Sequence, residues 1–499
     1  MLPRLSPLQK QMLCFVLGPL ACFLIKDLPP AAGMAPEGMA CLAGCVWLMI
    51  WWVTEVFSMP VTSIMSIPIF GLLGVLPPAK VFAALGTPPM MLVFGATIIV
   101  GLWKESNFIE RYAYWCFNLP IVKGSSARLL FVFIMGVGIM SAIAPNVPLA
   151  ILFVSIAVTI GRACKLAPRS NLMRALCVFS AIAPAVGGAA TPLGGAPNMI
   201  VIALIATTLH YDISFWEWSA LGIPLVLAGL VLIFFICGLV LPLRGEERRL
   251  PVPEEYLKSK LRELGPVTRY EHIAMAVMGV ALLLWCFGPQ LARLAGWEAG
   301  SRILTAPVVA VFMGAAAFLI PLRKDGESGR IVFAMNWEQA VKHIGWAFLI
   351  IQIGTITFGD VLLQGGLDKW AADHIQKMAG DLSGAWVWFI FVVLTGLASQ
   401  IVTNLALAAL VLPIMASLAL SYGFHPVAAC LSVGFACNVA TMFPFSSVTV
   451  AAAMMGAGEY LRPNDFILTG LLTSLCISIL GFLVCCFLGP ALLPAWSGV

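Results

Sequence analysis

Charge is what this sequence has least of. Only 10% of its 499 residues are Asp, Glu, Lys or Arg, and there are five histidines. A soluble chain of this size needs a far more charged surface, so the composition excludes one. Signatures of catalysis are missing too: the sequence has no His-Glu-x-x-His, no Gly-x-Ser-x-Gly and no paired aspartates in an apolar run. Their absence argues against a membrane-embedded enzyme, and no cofactor is expected. The 14 cysteines form no Cys-x-x-Cys pair and no His/Cys cluster, so they read as small buried apolar residues. The net charge of +5 lies in short loops and gives no reason to expect a nucleic-acid partner.

Apolar sequence is what the chain has most of. Hydrophobic residues make up 61% of it and mean hydropathy is +1.00. Long apolar runs from end to end imply an all-α polytopic membrane protein with the span count of a transporter. Arg4 and Lys10 precede the run Met12 to Ile25 in the manner of a signal peptide. No Ala-x-Ala-like cleavage site follows, so 1–38 reads as a separate N-terminal segment with the first membrane helix.

Two stretches break the apolar pattern in the same way. Ser141 to Leu152 places Pro145-Asn146-Val147-Pro148 inside an apolar run, where proline removes a backbone donor and interrupts a helix. Ser399 to Leu410 carries Thr403-Asn404-Leu405 in the matching place. At an offset of 258, six of twelve positions are identical: Ser141/Ser399, Ile143/Ile401, Asn146/Asn404, Leu149/Leu407, Ala150/Ala408 and Leu152/Leu410. Gly138/Gly396 extends the match. About one identity is expected by chance in so apolar a window.

The order of segments repeats as well. A first half over 39–243 holds a hairpin at 126–163 and a broken helix at 175–207 with the glycine- and proline-rich stretch Gly187 to Asn198. A charged linker spans 244–271. The second half, 272–499, holds a hairpin at 384–422 and a helix over 426–459 broken at Pro444-Phe445-Ser446-Ser447. With both hairpins re-entrant, about 11 transmembrane helices remain. Taking the N-terminus as cytoplasmic puts 22 of the 28 Lys/Arg residues on the inner side, as the positive-inside rule requires. The C-terminus then lies outside. Each half has an odd number of crossings, so the halves run in opposite orientations. Interrupted segments at matching places in an inverted repeat point to a transport site.

The tips suit ions. A hairpin tip exposes C-terminal carbonyls of one arm to a cation and N-terminal amides of the other to an anion. An asparagine there offers a carbonyl oxygen to Na⁺ and an NH₂ to a carboxylate. Ser141 and Ser399, five residues earlier, are within reach of the same cation. No Lys, Arg or His lies at either tip or break, so an anion must be held by amides, dipoles and co-bound cations.

With Leu48-Met49-Ile50-Trp51-Trp52-Val53-Thr54-Glu55, Pro60-Val61-Thr62 and Thr191 to Asn198, the chain resembles the divalent anion/sodium symporter family over nearly its whole length. The resemblance implies an inner-membrane, elevator-type homodimer with a scaffold and a transport domain, moving a dicarboxylate of the succinate/malate class with Na⁺ as coupling ion. A Na⁺-independent anion exchanger, or a carrier of sulfate, sulfonate or tricarboxylate, is the alternative. The resemblance implies one Na⁺ site from Ser141, Asn146 and Gly194 and another from Ser399, Asn404 and Ser446. Substrate contacts fall to Asn146, Val147, Asn404 and Leu405. The family's Ser-Asn-Thr tips stand here as Pro145-Asn146-Val147 and Thr403-Asn404-Leu405, with both motif threonines replaced by aliphatics, which bears on selectivity.

Overall fold

A computed structural model describes residues 6–249, 254–324, 326 and 329–493. Arg4, part of the expected linker and the last six residues fall outside these. Among the described residues eight helices are long and apolar enough to cross a membrane. Two bent pairs, Ala79–Gly86 with Pro88–Glu105 and Leu367–Ala379 with Gly384–Ala398, raise this to ten if each is one span. Other expected crossings are shorter, such as Gly38–Thr54 and Met59–Leu72. One apolar helix of the second half, Ala306–Ala316, has only 11 residues. At about 1.5 Å per residue it is too short to cross alone. It packs along Pro88–Glu105, where a methyl on Gly95 would run into the Ala310 backbone. Small residues let membrane helices approach this closely. After it comes an antiparallel ribbon, Pro321–Lys324 with Ile331–Phe333, which apolar patterning did not reveal because the segment is charged.

Helix starts are set by local chemistry. Ser6/Gln9, Ser214/Glu217, Thr268/Glu271 and Asn336/Gln339 form reciprocal capping boxes at loop–helix junctions. Glu55, an acidic residue at the edge of an apolar run, takes a left-handed conformation (φ 49°) and ends Gly38–Thr54.

Both proline- or threonine-led breaks fold the chain back on itself. The first hairpin consists of Ser126–Ser141 and Asn146–Ala163. Phe133 and Phe153, on opposite arms, meet with ring centroids 5.7 Å apart. Both arms pack on Asn171–Gly187: Gly138 lies against Gly187 and Gly161 against Met173. The first arm thus runs parallel to that helix and the second antiparallel. The second hairpin consists of Gly384–Ala398 and Asn404–Tyr422. At its base, Gly384 lies against the Tyr422 ring.

The broken spans interlock the halves. Asn171–Gly187 packs in its own hairpin, whereas its continuation Ala196–Leu209 packs on the second hairpin arm Asn404–Tyr422. Reciprocally, Pro426–Cys437 packs in the second hairpin and its continuation Val448–Ala457 packs on Asn146–Ala163. The long helix closing each half, Phe215–Val240 or Asn464–Leu492, seals its own break. Gly222 abuts the Ala189 and Ala190 carbonyls, and Gly470 abuts the Thr441 carbonyl. Gly138 and Gly396, paired in sequence, face Leu230 and Ser478 of these same two helices. The exchange brings both hairpin tips to one place.

Because a Cβ at Gly187 would collide with the rigid Gly138 carbonyl, Gly187→Ala is expected to lower the melting temperature in detergent by several degrees. Gly238→Ala, with open space around it, should leave that temperature unchanged or raise it slightly.

Candidate functional site

The two tips have one backbone geometry. Pro145 (φ −61°, ψ 136°) and Thr403 (φ −61°, ψ 138°) each precede a helix that starts on asparagine. Asn146, Val147, Asn404 and Leu405 are half-buried there. The first N–H groups of a helix have no intrahelical acceptor, so both tips turn amides and positive helix ends toward the same space. The backbone N–H groups of Val147 and Leu405 are among them.

At the first tip oxygens converge. Ser141 Oγ donates to the Pro184 carbonyl at 2.7 Å and accepts from the Asn146 side-chain NH₂. In the orientation that satisfies both ends of its amide, Asn146 Nδ2 donates to Gly194 O at 2.6 Å and to Pro184 O at 3.2 Å. Three oxygens gathered about one amide NH₂ are also a set that suits a cation, because hard cations take oxygen ligands. Gly194 allows the approach, since a side chain there would strike Gly188 and the Ser141 carbonyl. Ser141, Asn146 and Gly194, drawn from two separate stretches, are thus brought together.

A chain of amides runs on from here. Thr191 Oγ1 donates to the Ala142 carbonyl and joins tip to break. Asn198 Nδ2 donates to Gly188 O (2.7 Å) and Thr191 O (2.8 Å), satisfying carbonyls that the broken helix leaves bare. Asn438 Nδ2 donates to Asn198 Oδ1 at 2.6 Å and links the two breaks. Asn404 Nδ2 reaches Asn438 O at 3.5 Å, closing the path to the second tip.

The second tip is arranged differently. Ser399 Oγ donates to Gly396 O at 2.8 Å, and Ser446 Oγ donates within its own loop to Phe443 O at 3.1 Å. Asn404 Oδ1 and Thr403 Oγ1 are buried without a hydrogen-bond partner. Ser399, Asn404 and Ser446 therefore do not form a cluster as tight as the first. Gln400, almost wholly buried, ties this tip to the break at 439–442.

The ion pairs among the described residues lie away from the tips. Arg169 and Arg174 hold Asp465 at 2.7 and 2.6 Å, Arg111 holds Glu271 at 2.6 Å, and His343 meets Glu105 at 2.6 Å. Among the described residues no group of three or more His, Cys, Asp or Glu is placed to hold a metal ion. The larger surface cleft, lined by Trp216, Trp285 and Leu492, includes no tip residue. Convergence of oxygens and helix ends, rather than an open cavity, marks the site. Asn198, Asn438, Gln400 and the Pro184 carbonyl were not singled out from sequence. The first three carried a signal nonetheless, as amide side chains within apolar runs.

Residues 9–493 match the family described as the sodium:sulfate symporter transmembrane region. The sodium-dependent dicarboxylate transporter SdcS of Staphylococcus aureus strain USA300 is 25% identical over 457 residues, covering 90% of this chain and 86% of that protein. Among solved structures, the Alcanivorax borkumensis YdaH transporter aligns with a TM-score of 0.54 at 13% identity, covering 97% of this chain and 98% of that one. Neisseria gonorrhoeae MtrF, described within a class of antimetabolite efflux pumps, aligns with a TM-score of 0.57 at 13% identity, covering 97% and 95%. These likenesses show the fold.

If the Asn198–Asn438 bond joins the breaks, Asn198→Ala and Asn438→Ala should each destabilise the protein by about 1–3 kcal/mol, the cost of orphaning a buried partner. In thermal unfolding the double variant should lose clearly less than the sum of the two.

Proposed function

Because the chain belongs to the sodium:sulfate symporter family, we propose that it is a secondary carrier that moves a small divalent organic anion, of the dicarboxylate class, together with Na⁺. The observation that carries this reading is the set of three oxygens gathered about the Asn146 side-chain amide at the first tip: Ser141 Oγ, Pro184 O and Gly194 O. Na⁺ settling among them fixes the Asn146 amide with its oxygen inward, which turns its NH₂ toward the space between the tips. An anion there meets that NH₂, the Asn404 side chain, the free backbone N–H groups of Val147 and Leu405, and two positive helix ends. With no basic side chain at the tips, the cation supplies the charge that makes holding a dianion favourable, and the two solutes are coupled.

A weaker second Na⁺ site is assigned to Ser399, Asn404 and Ser446, with Asn404 Oδ1 as its free oxygen. The aliphatic Val147 and Leu405 side chains leave backbone amides in place but remove hydroxyls, so an anion with an apolar body suits the tips better than one that must be hydrogen-bonded on all sides. The elevator mechanism comes with the reading. The interlocked hairpins and broken spans move as one body against the remaining helices, in a homodimer whose N-terminus is cytoplasmic.

Uptake into proteoliposomes tests this directly. Labelled succinate should accumulate with Na⁺ outside and not with choline, and Asn146→Ala and Asn404→Ala should abolish uptake while leaving folding intact. Equal uptake in both salts would overturn the symport reading, and uptake only of sulfate or a sulfonate would replace the substrate class. Val147→Thr with Leu405→Thr should raise succinate affinity by about tenfold, the scale of one regained hydrogen bond.

A further inference from the structure

The second break carries aromatic surface that the first lacks. It runs from Asn438 to Ser447, ten residues against eight for Gly188 to Gly195. The first loop has no aromatic residue, and its bulkiest side chain, Leu193, is half-buried. The second holds Phe443-Pro444-Phe445, with Phe445 63% exposed. The two rings stack with centroids 5.0 Å apart and planes 11° from parallel. Ser446 closes the turn that bears them, since its N–H and its Oγ both donate to Phe443 O, at 3.3 and 3.1 Å. Stacked rings on a closed turn, with a proline between them, form a stiff platform.

This platform belongs to the second tip. Gln400 Oε1 accepts from the Thr441 and Met442 amides at 3.0 Å each, so the loop is anchored on the tip only three residues before Phe445. Three residues of chain span at most about 10 Å. Irregular backbone within a membrane is tolerated only where protein or a water-filled cavity surrounds it. An exposed ring at such a break therefore faces the space that solutes enter rather than lipid. Ile401, next to Gln400 in the chain, and Val448, at the start of the following helix, are exposed as well. Apolar surface thus accumulates on the side of the second half.

We propose that Phe443 and Phe445 form a specificity subsite that receives the flat apolar body of the transported dianion, so that the preferred substrates are dicarboxylates bearing an aromatic ring. The carboxylates meet the amides of the two tips, and the ring lies on the face of Phe445 that Phe443 leaves open. A ring placed there gains stacking and takes exposed apolar surface out of water. Succinate has no such body and leaves the platform bare. The proposal rests on the dicarboxylate reading above and names the organic body that the two carboxylates carry.

The test is thermal unfolding of the purified full-length protein in NaCl, titrated with succinate and with phenylsuccinate. A ligand that binds only the folded state raises the melting temperature according to its affinity. The two probes share one diacid backbone and differ by a phenyl group. The wild type should bind phenylsuccinate about tenfold more tightly than succinate, the scale of one stacked ring. Phe445→Ala should bring that ratio down to about one, and Phe445→Tyr, which keeps the ring, should preserve it.

A wild type that binds succinate as tightly as phenylsuccinate, or more tightly, overturns the subsite. So does a Phe445→Ala variant that keeps the wild-type ratio, or a Phe445→Tyr variant that loses it. If Phe445→Ala does not fold, Phe445→Leu, which keeps apolar volume without a ring, decides in the same way. Stabilisation by neither dianion would remove the dicarboxylate reading itself and the subsite with it. That outcome is distinct from a wild type that responds to succinate and rejects phenylsuccinate, which removes the subsite alone.

Discussion

A helix interrupted inside a membrane leaves backbone amides and carbonyls with no water to satisfy them. This chain has four such interruptions close together: two hairpin tips and two breaks. Asparagine and glutamine side chains meet the need, since each carries both a donor and an acceptor and no net charge. Asn198 holds Gly188 O and Thr191 O, Asn438 joins the breaks, and Gln400 holds Val439 O with the Thr441 and Met442 amides. The close glycine contacts, the crossing of the broken spans and the meeting of the tips all depend on these bonds.

A site assembled this way avoids fixed charge, and that has consequences for chemistry. A permanent arginine facing the anion would carry a large desolvation cost whenever the anion was absent. Helix ends and amides attract an anion more weakly and carry no such cost. On the proposed reading Na⁺ supplies charge only when it is present, which is what coupling requires. The ion pairs among the described residues lie elsewhere: Arg169 and Arg174 on Asp465 tie the loop after the first hairpin and the first turn of Asn171–Gly187 to the start of the closing helix. Arg111 binds the short helix Phe108–Phe117 to Glu271 and to the Leu264, Gly265 and Pro266 carbonyls. These contacts fix ends and leave the centre neutral.

The halves are alike in shape and unlike in chemistry. Gly138 and Gly396 make equivalent close approaches to the helices that close each half, and Pro145 and Thr403 share their dihedral angles within a few degrees. Yet the first half ties its break to its tip through Ser141 and Thr191 and from within through Asn198, while the second ties its break to its tip through Gln400. Shape is set by where the chain must break and where backbones must approach, which restricts a few positions to glycine or proline. The groups that satisfy the exposed polar atoms are free to differ, so the halves diverge there.

Read alone, the sequence determined the membrane class, the repeat and the positions of both tips. Apolar runs, an interrupting Pro145 and a recurring Ser–Asn spacing are local features, and local features are visible in one dimension. It also fixed Ser141, Asn146 and Gly194 as candidates through family resemblance. Only the tertiary structure decided that Pro184 contributes a carbonyl to them, because a backbone oxygen leaves no trace in residue identity. Only it decided that Asn198 meets Asn438 across 240 residues, since that contact arises from the crossing of the two broken spans. It likewise distinguished Gln400 from any other polar residue in an apolar run: the orientation of its amide is imposed by two backbone N–H groups 41 and 42 residues away. The short helix Ala306–Ala316 and the ribbon behind it were hidden for a related reason. Hydropathy records what a segment dissolves in, and the length of a helix also depends on what it packs against.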